Sequence, residues 1–379
     1  MSQLTERNAA SDANLKADGV LDYIVIGAGI AGLTAASCLD KAGKIVAVFE
    51  KARGTGGRMS SKRVATTFAS DSINESNKDK FMAFDLGSVS MVASSTAFAE
   101  VLEVWHQRGT VAPWFKDDSG QIHYVGTPRN SAVTRYLSKD LECHFSTRVT
   151  DIEHIDGLWH VFAEGAHSSE GHSTESHQKT LLAKSHNVII AAPPQQAIDL
   201  LPNDSTLKNA IDEVKVDAQW VMGVQTDTLL DNLQSMQFPD SEIIASISLE
   251  SSKPGRTSGK SSLGIVDDGE NVIVLQVQAT AGWTQKHLDL NSEQVSSKLI
   301  SELENLFQQP INPQNCYSHR WLYSRIAQTA GVQEGYLWDE KGLGLIGDYI
   351  NNEYEGIESA WFSGKQLSDY ITFNESKDA

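Results

Sequence analysis

The chain has 379 residues, 40% of them hydrophobic and 21% charged, which is enough for about two domains with real cores. Its 31 basic and 49 acidic side chains leave a net charge of −18, a field that repels nucleic-acid and anionic-lipid phosphates, so neither nucleic acid nor membrane is an expected partner. Cys38, Cys143 and Cys316 lie far apart without CxxC or zinc-ligand spacing, which excludes a disulfide framework and a structural zinc domain.

No run approaches the roughly 18 apolar residues of a membrane span, and Met1 to Gly19 is polar, without the apolar block of a secretory signal. A soluble protein of a reducing compartment, the cytoplasm, is expected. Residues 1–20 read as a tail.

Leu21 opens the ordered chain. Asp22-Tyr-Ile-Val-Ile26 is a short apolar run that stops at Gly27, as a buried strand does. Ile30 to Lys41 carries apolar residues at helical spacing and closes at Gly43, and Ile45 to Phe49 is a second apolar strand ending in Glu50. Strand, glycine turn, helix and strand make one βαβ unit of a parallel sheet. Further on, helical patterns fall at Ser95 to Gln107, Ser131 to Lys139 and Ser292 to Phe307. Strand-like runs fall at Leu158 to Ala163, Val188 to Ala192, Asp217 to Val224 and Asn271 to Ala279. Three polar stretches, Ser70 to Lys80, Glu164 to Thr180 and Ser251 to Ser262, read as surface insertions between packed elements. The fold class is therefore α/β, a Rossmann-like domain with an interposed β-rich α+β domain.

Gly27-Ala28-Gly29-Ile30-Ala31-Gly32 is GxGxxG placed directly after a strand and opening a helix. The first glycine permits the tight turn, the second lets backbone approach a pyrophosphate, and the third allows close helix-to-strand packing. The helix N-terminus adds unpaired N–H groups and partial positive charge. Glu50, at the end of the second strand, is the acid expected to accept hydrogen bonds from an adenosine ribose. This fingerprint serves NAD and FAD alike.

The segment after Glu50 separates the two cofactors. Lys51-Ala-Arg-Gly-Thr-Gly-Gly57-Arg58-Met59 resembles the KxxxxGGR(M) segment of a flavoprotein class that includes amine oxidases and protoporphyrinogen oxidase. An arginine there offers a charge-assisted fork to a phosphate. Other segments resemble that class as well: Phe84-Asp85-Leu86-Gly87 its FDxG run beside the flavin, Arg148-Val149 its adenine-clasping strand, and Val188 to Pro194 its AxPP turn. Gly344 to Asp348 resembles its GD motif, and Glu355-Gly356-Ile357-Glu358 the start of its last helix. Tyr124-Val125-Gly126-Thr127-Pro128, Ser252-Lys-Pro-Gly-Arg256 and His319 to Ser324 resemble, in this order, segments of the bacterial renalase-like branch. The chain departs from that branch where FDLGSVSMV replaces an FDxGAQYF-like run and Pro128-Arg129-Asn130 replaces a PGM-like turn.

The resemblance implies an oxidoreductase with noncovalent FAD. The residues it places at the cofactor are Gly27, Ala28, Gly29, Ile30, Ala31, Gly32, Glu50, Lys51, Gly57, Arg58, Met59, Val149, Ala192, Asp348, Gly356 and Ile357. On the substrate side it implies Gly87, Ser88, Val89, Tyr124, Val125, Gly126 and Trp220. It implies a discontinuous FAD-binding domain over residues 21–92, 140–205 and 318–379, and a substrate domain over 93–139 and 206–317. The implied substrate is a 2- or 6-dihydronicotinamide dinucleotide isomer, oxidised with oxygen to NAD(P)⁺ and hydrogen peroxide. An amine oxidase or desaturase of the same class, or a non-catalytic flavin-binding redox protein, are the alternatives. The motifs name no catalytic side chain and do not encode oligomeric state.

Smaller signals read as structural. His167, His172 and His177 recur every five residues, which does not align them on one helix face, so no metal site is expected. No GxSxG elbow accompanies the serines and histidines, so hydrolase chemistry has no support.

Overall fold

A computed structural model describes residues 19–65, 81–164, 179–228, 234–256 and 273–378. The tail up to residue 18, the 70–80 loop and nearly all of the 164–180 insertion with its three histidines lie outside the described residues, as do residues 257–262 of the third polar stretch. Two compact units emerge.

The first unit comprises residues 1–57, 134–214 and 328–379. Its sheet runs, in spatial order, Tyr336–Trp338, Leu343–Ile346, Lys179–Ile190, Leu21–Ile26, Val46–Phe49 and Glu142–His144. The central strand pairs in parallel on both sides, Ile24 opposite Ala47 and Val188. Ile24, Val25, Val48, Ile189 and Ile190 are fully buried, as a strand covered on both faces requires. Antiparallel strands Val149–Ile155 and Leu158–Glu164 extend the long Lys179–Ile190 strand. Helices Ile30–Lys41 and Gly356–Asp378 pack on each other so closely that a methyl on Gly364 would strike the Ala31 carbonyl.

The second unit comprises residues 58–133 and 215–327. It is built on an antiparallel sheet ordered Ser235–Gln237, Ile244–Leu249, Ile273–Ala279, Lys215–Thr226 and Pro313–Gln328. Helix Ser292–Phe307 is held at its start by a capping box of Asn291 and Gln294. It buries Val295, Leu299 and Leu303 against Met222, Val224, Leu275 and Val277; each such side chain contributes about 1.5–3 kcal/mol on burial. Two hairpins complete the unit, Ser61–Ala65 with Phe81–Asp85 and Val111–Lys116 with Ile122–Gly126.

The two compact units divide the chain differently from the expected domains, and residues 134–139 and 206–214 fall in the first unit. Residues 58–92, assigned by sequence to the cofactor domain, belong to the second unit, because Met82 and Phe84 pack with Val274 and Phe84 lies against Gly223, where a side chain would not fit. Residues 318–327 go with them, since they continue the last strand of the antiparallel sheet. Among the described residues, no helix is long and apolar enough to cross a membrane.

Candidate active site

In the first unit, strand Leu21–Ile26 ends at Gly27, whose φ of +112° and whose closeness to the Ala191 carbonyl (2.7 Å from a built Cβ) both demand glycine. Gly32 is pressed against the Gly27 carbonyl and the Val25 side chain, leaving no room for a methyl. Gly29 differs: a Cβ there meets nothing within 4 Å. It is the extended N-cap of helix Ile30–Lys41, has no side-chain cap, and is followed by no acid in the first turn. The helix thus points uncapped amides and the positive end of its dipole into open space, which fits a pyrophosphate.

Glu50 directly follows strand Val46–Phe49. Its Oε2 accepts from the Ala28 amide at 2.8 Å and its Oε1 from the Ala52 amide at 2.7 Å, tying the carboxylate to the glycine turn. Gly56 donates to the Ala28 carbonyl at 3.0 Å, and Gly57, at φ +51°, would place a Cβ 3.7 Å from the Gly29 Cα. Ile30 and Ala31 are buried at this turn, Val149 is buried at the start of strand Val149–Ile155, and Ala192 follows Ala191, whose amide bonds the Ile26 carbonyl at 2.8 Å. Lys51 reaches Gln196 Oε1 at 2.7 Å. Asp348 is 6% exposed, beside Gly347, whose amide donates to Ser363 Oγ at 2.9 Å. The last helix opens at Gly356 with Ile357 buried. At Gly356 a Cβ would meet no atom of the chain within 4 Å, and its φ of +57° is a backbone conformation that favours glycine.

In the second unit the structure zips two sequence motifs together. Leu86 N donates to Ser60 O and Ser88 N to Arg58 O, both at 2.9 Å, so the GGRM segment runs antiparallel beside Asp85–Ser88. A side chain on Gly87 would collide with the Arg58 carbonyl. Met59 is buried, and Arg58 Nη1 donates to the Ser324 carbonyl at 3.0 Å. The carbonyls of this irregular segment are taken by side chains. Asp85 O accepts from Gln276 Nε2 at 2.7 Å, Leu86 O from Trp321 Nε1 at 2.8 Å, Gly87 O from Gln278 Nε2 at 2.8 Å, and Ser88 O from Asn130 Nδ2 at 2.7 Å.

Beneath it lies a buried quartet of charges. Asp85 and Glu250 face Lys253 and Arg256; Lys253 binds Glu250 and lies 3.3 Å from Asp85, and Arg256 binds Asp85. Asp85 also accepts from Ser61 Oγ at 2.8 Å and the Asn130 amide at 3.1 Å. Burial alone would raise the Asp85 carboxyl, but Arg256 and Lys253 outweigh it and hold its pKa below the ordinary value. For Glu250 burial prevails, only partly offset by Lys253, and its pKa is raised. Arg256 Nη1 donates at 2.8 Å to the carbonyl of Gly126, whose amide bonds Asn130 Oδ1 at 2.8 Å. Val125 is fully buried, and Tyr124 pairs with Met91 through bonds of 2.7 and 2.8 Å.

Two readings of the sequence are corrected here. The stretch from Ser251, read as a surface insertion, is interior at Lys253 and Arg256, because these cations neutralise two buried carboxylates. Trp220, named for the substrate, belongs to the hydrophobic core, its Nε1 bonded to the His287 carbonyl at 3.0 Å. Sequence reasoning also missed Gln276 and Gln278. Their signal was a polar residue at every second place in an apolar strand, where both faces are buried.

The model of NAD(P)-binding Rossmann-like domains matches residues 25–104, and the model of flavin containing amine oxidoreductases matches residues 71–372. A structure described as a protoporphyrinogen oxidase from Exiguobacterium sp. superposes with a TM-score of 0.65 at 11% identity, covering 94% of this chain and 100% of that one. Cyclohexylamine oxidase from Brevibacterium oxydans superposes at 0.60 and 10% identity, covering 95% and 100%. These two likenesses establish a shared fold. With the family model spanning most of its length, the chain belongs to the flavin containing amine oxidoreductases and is an FAD-dependent oxidoreductase.

Proposed function

We propose that the protein oxidises 2- or 6-dihydronicotinamide dinucleotide isomers, in the manner of the renalase-like branch. One observation carries this reading: segments that resemble that branch converge on a single buried network. Arg256 of the SKPGR segment binds both Asp85 of the FDxG run and the Gly126 carbonyl of YVG, while Trp321 of the HRW segment binds the Leu86 carbonyl.

The first-turn amides after Gly29 would hold the pyrophosphate of FAD and Glu50 its adenosine ribose; Lys51, Arg58, Val149, Ala192, Asp348 and Ile357 are proposed as further contacts. When bound, FAD supplies a two-electron acceptor that oxygen re-oxidises. Gly87, Ser88, Val89 and Tyr124 to Gly126 are proposed to hold the substrate. Overall, a hydride leaves carbon 2 or 6 of the dihydropyridine, the ring becomes an aromatic pyridinium, and oxygen with that hydride and one proton becomes hydrogen peroxide. The donor ring loses no proton, so the chain has mainly to orient it.

Amine oxidation is the second reading, favoured by the family itself and by the shared fold with a cyclohexylamine oxidase. Anaerobic mixing of the yellow protein with 2- and 6-dihydronicotinamide dinucleotides and with cyclohexylamine separates the two. Rapid bleaching by a dihydronicotinamide isomer is expected; bleaching by amine alone would overturn the proposal.

A further inference from the structure

We propose that Gln276 and Gln278 are positioning residues, each oriented by a serine of the neighbouring strand, that fix the Gly87–Ser88 backbone and so present the Ser88 hydroxyl to substrate. The inference rests on the proposed substrate role of Gly87 to Val89.

Gln276 and Gln278 share one face of strand Ile273–Ala279, two residues apart, and so do the carbonyls of Asp85 and Gly87 that they meet. Gln276 Nε2 also reaches Gly87 O at 3.1 Å, so that carbonyl has both lone pairs occupied and is no acceptor for a ligand. Register places Ser248 opposite Gln276 and Ser246 opposite Gln278. Each serine hydroxyl donates to the Oε1 of its partner at 3.1 Å. With each Oε1 engaged, each amide NH₂ must face the carbonyls of the segment; the flipped amide would set oxygen against oxygen. Ser246, Ser248 and Gln276 are buried, so water does not substitute for the Ser248–Gln276 rung, while Gln278 is half-buried.

The opposite edge of the segment is fixed as well, by Arg58 O, Ser60 O and Asn130. Strand Ile273–Ala279 is paired on both edges, so the glutamine side chains rise from the face of the sheet and hold Asp85–Ser88 a glutamine's length above it. Ser88 is half-buried, and its hydroxyl has no protein partner among the described residues. A hydroxyl carried on so constrained a backbone costs little further ordering when it binds a carboxamide or an amine.

The test uses the full-length, FAD-loaded protein with Ser246→Ala, Gln278→Leu and the conservative Ser246→Thr. Ser246→Ala removes only a hydroxyl and keeps the test informative if Gln278→Leu folds poorly. Two quantities are measured: hydrogen–deuterium exchange at Leu86 to Val89, and the half-saturating donor concentration against the limiting rate of anaerobic flavin reduction. Faster exchange is expected, together with half-saturation raised about 2- to 10-fold, the loss of one neutral hydrogen bond. The limiting rate should change less, FAD content should match wild type, and threonine should restore both readouts. Unchanged exchange, or faster exchange with unchanged half-saturation, would overturn the positioning role. A wild type bleached only by cyclohexylamine overturns the dihydronicotinamide reading instead. The ladder is then judged on the amine: raised half-saturation supports it, and unchanged half-saturation overturns it.

Discussion

In the parallel-sheet unit the proposed nucleotide cradle is made of backbone: Gly27 and Gly32 allow the tight turn, Gly29 leaves open space before the uncapped helix amides, and Glu50 is tied to the turn. In the antiparallel unit the backbone of Asp85–Ser88 is held by side chains, and four charges are sealed beneath it. The first arrangement has no room for an added atom at Gly27 or Gly32. The second depends on buried charges that balance one another. Charge removal should therefore cost most, and added volume should act chiefly on cofactor retention.

Lys253→Met would leave Asp85 and Glu250 facing only Arg256. Breaking a buried pair costs about 3–5 kcal/mol, and urea unfolding should show a loss of that size. The double variant Glu250→Leu/Lys253→Met should lose much less than the two single losses added together; full additivity would show that the quartet does not act as a unit.

Gly32→Val should next reduce FAD retention at least about tenfold, roughly 1.4 kcal/mol, because its side chain has nowhere to go except into the Gly27 carbonyl. Normal flavin content after gel filtration would contradict this. Arg58→Ala tests which unit's logic the guanidinium obeys. Loss of a phosphate contact weakens FAD by about 1.5–3 kcal/mol, whereas unchanged FAD affinity with a lower unfolding midpoint would assign Arg58 to contacts within the chain, the Ser324 carbonyl among them.

Gly356→Val should cost about 1–2 kcal/mol through its left-handed backbone, and Gly356→Asn less, since asparagine visits that region more readily. Equal thermal shifts for the two variants would point to lost space instead. The smallest effect concerns Asp117, whose pKa is lowered to about 2 by hydrogen bonds from the Ser119 hydroxyl, the Gln121 and Ser119 amides and His123. A carboxyl depressed on folding stabilises above its unfolded pKa, and that contribution fades as pH falls from about 4 toward 2. Asp117→Asn should flatten the acid dependence of hairpin stability in that window, followed by the Trp114 signal.

Motifs whose chemistry is local were legible in the sequence. GxGxxG between an apolar strand and a helix fixes its own turn, and Glu50 meets it because parallel neighbours place strand ends together. Helix Ser292–Phe307 was readable to the residue, since its capping signal and apolar spacing agree. Tertiary structure alone decided the rest, because charge does not announce burial. Ser251 to Arg256 looks like any polar turn until Asp85, more than 160 residues earlier, supplies the carboxylate its cations neutralise. Trp220 has the composition of a pocket residue, and only the packing of helix Ser292–Phe307 and its neighbours puts it in the core. The sequence by itself determined the cofactor fingerprint, a matter of backbone room over a few residues. The tertiary structure decided which polar side chains share an interior, since electrostatic partners need only meet in space.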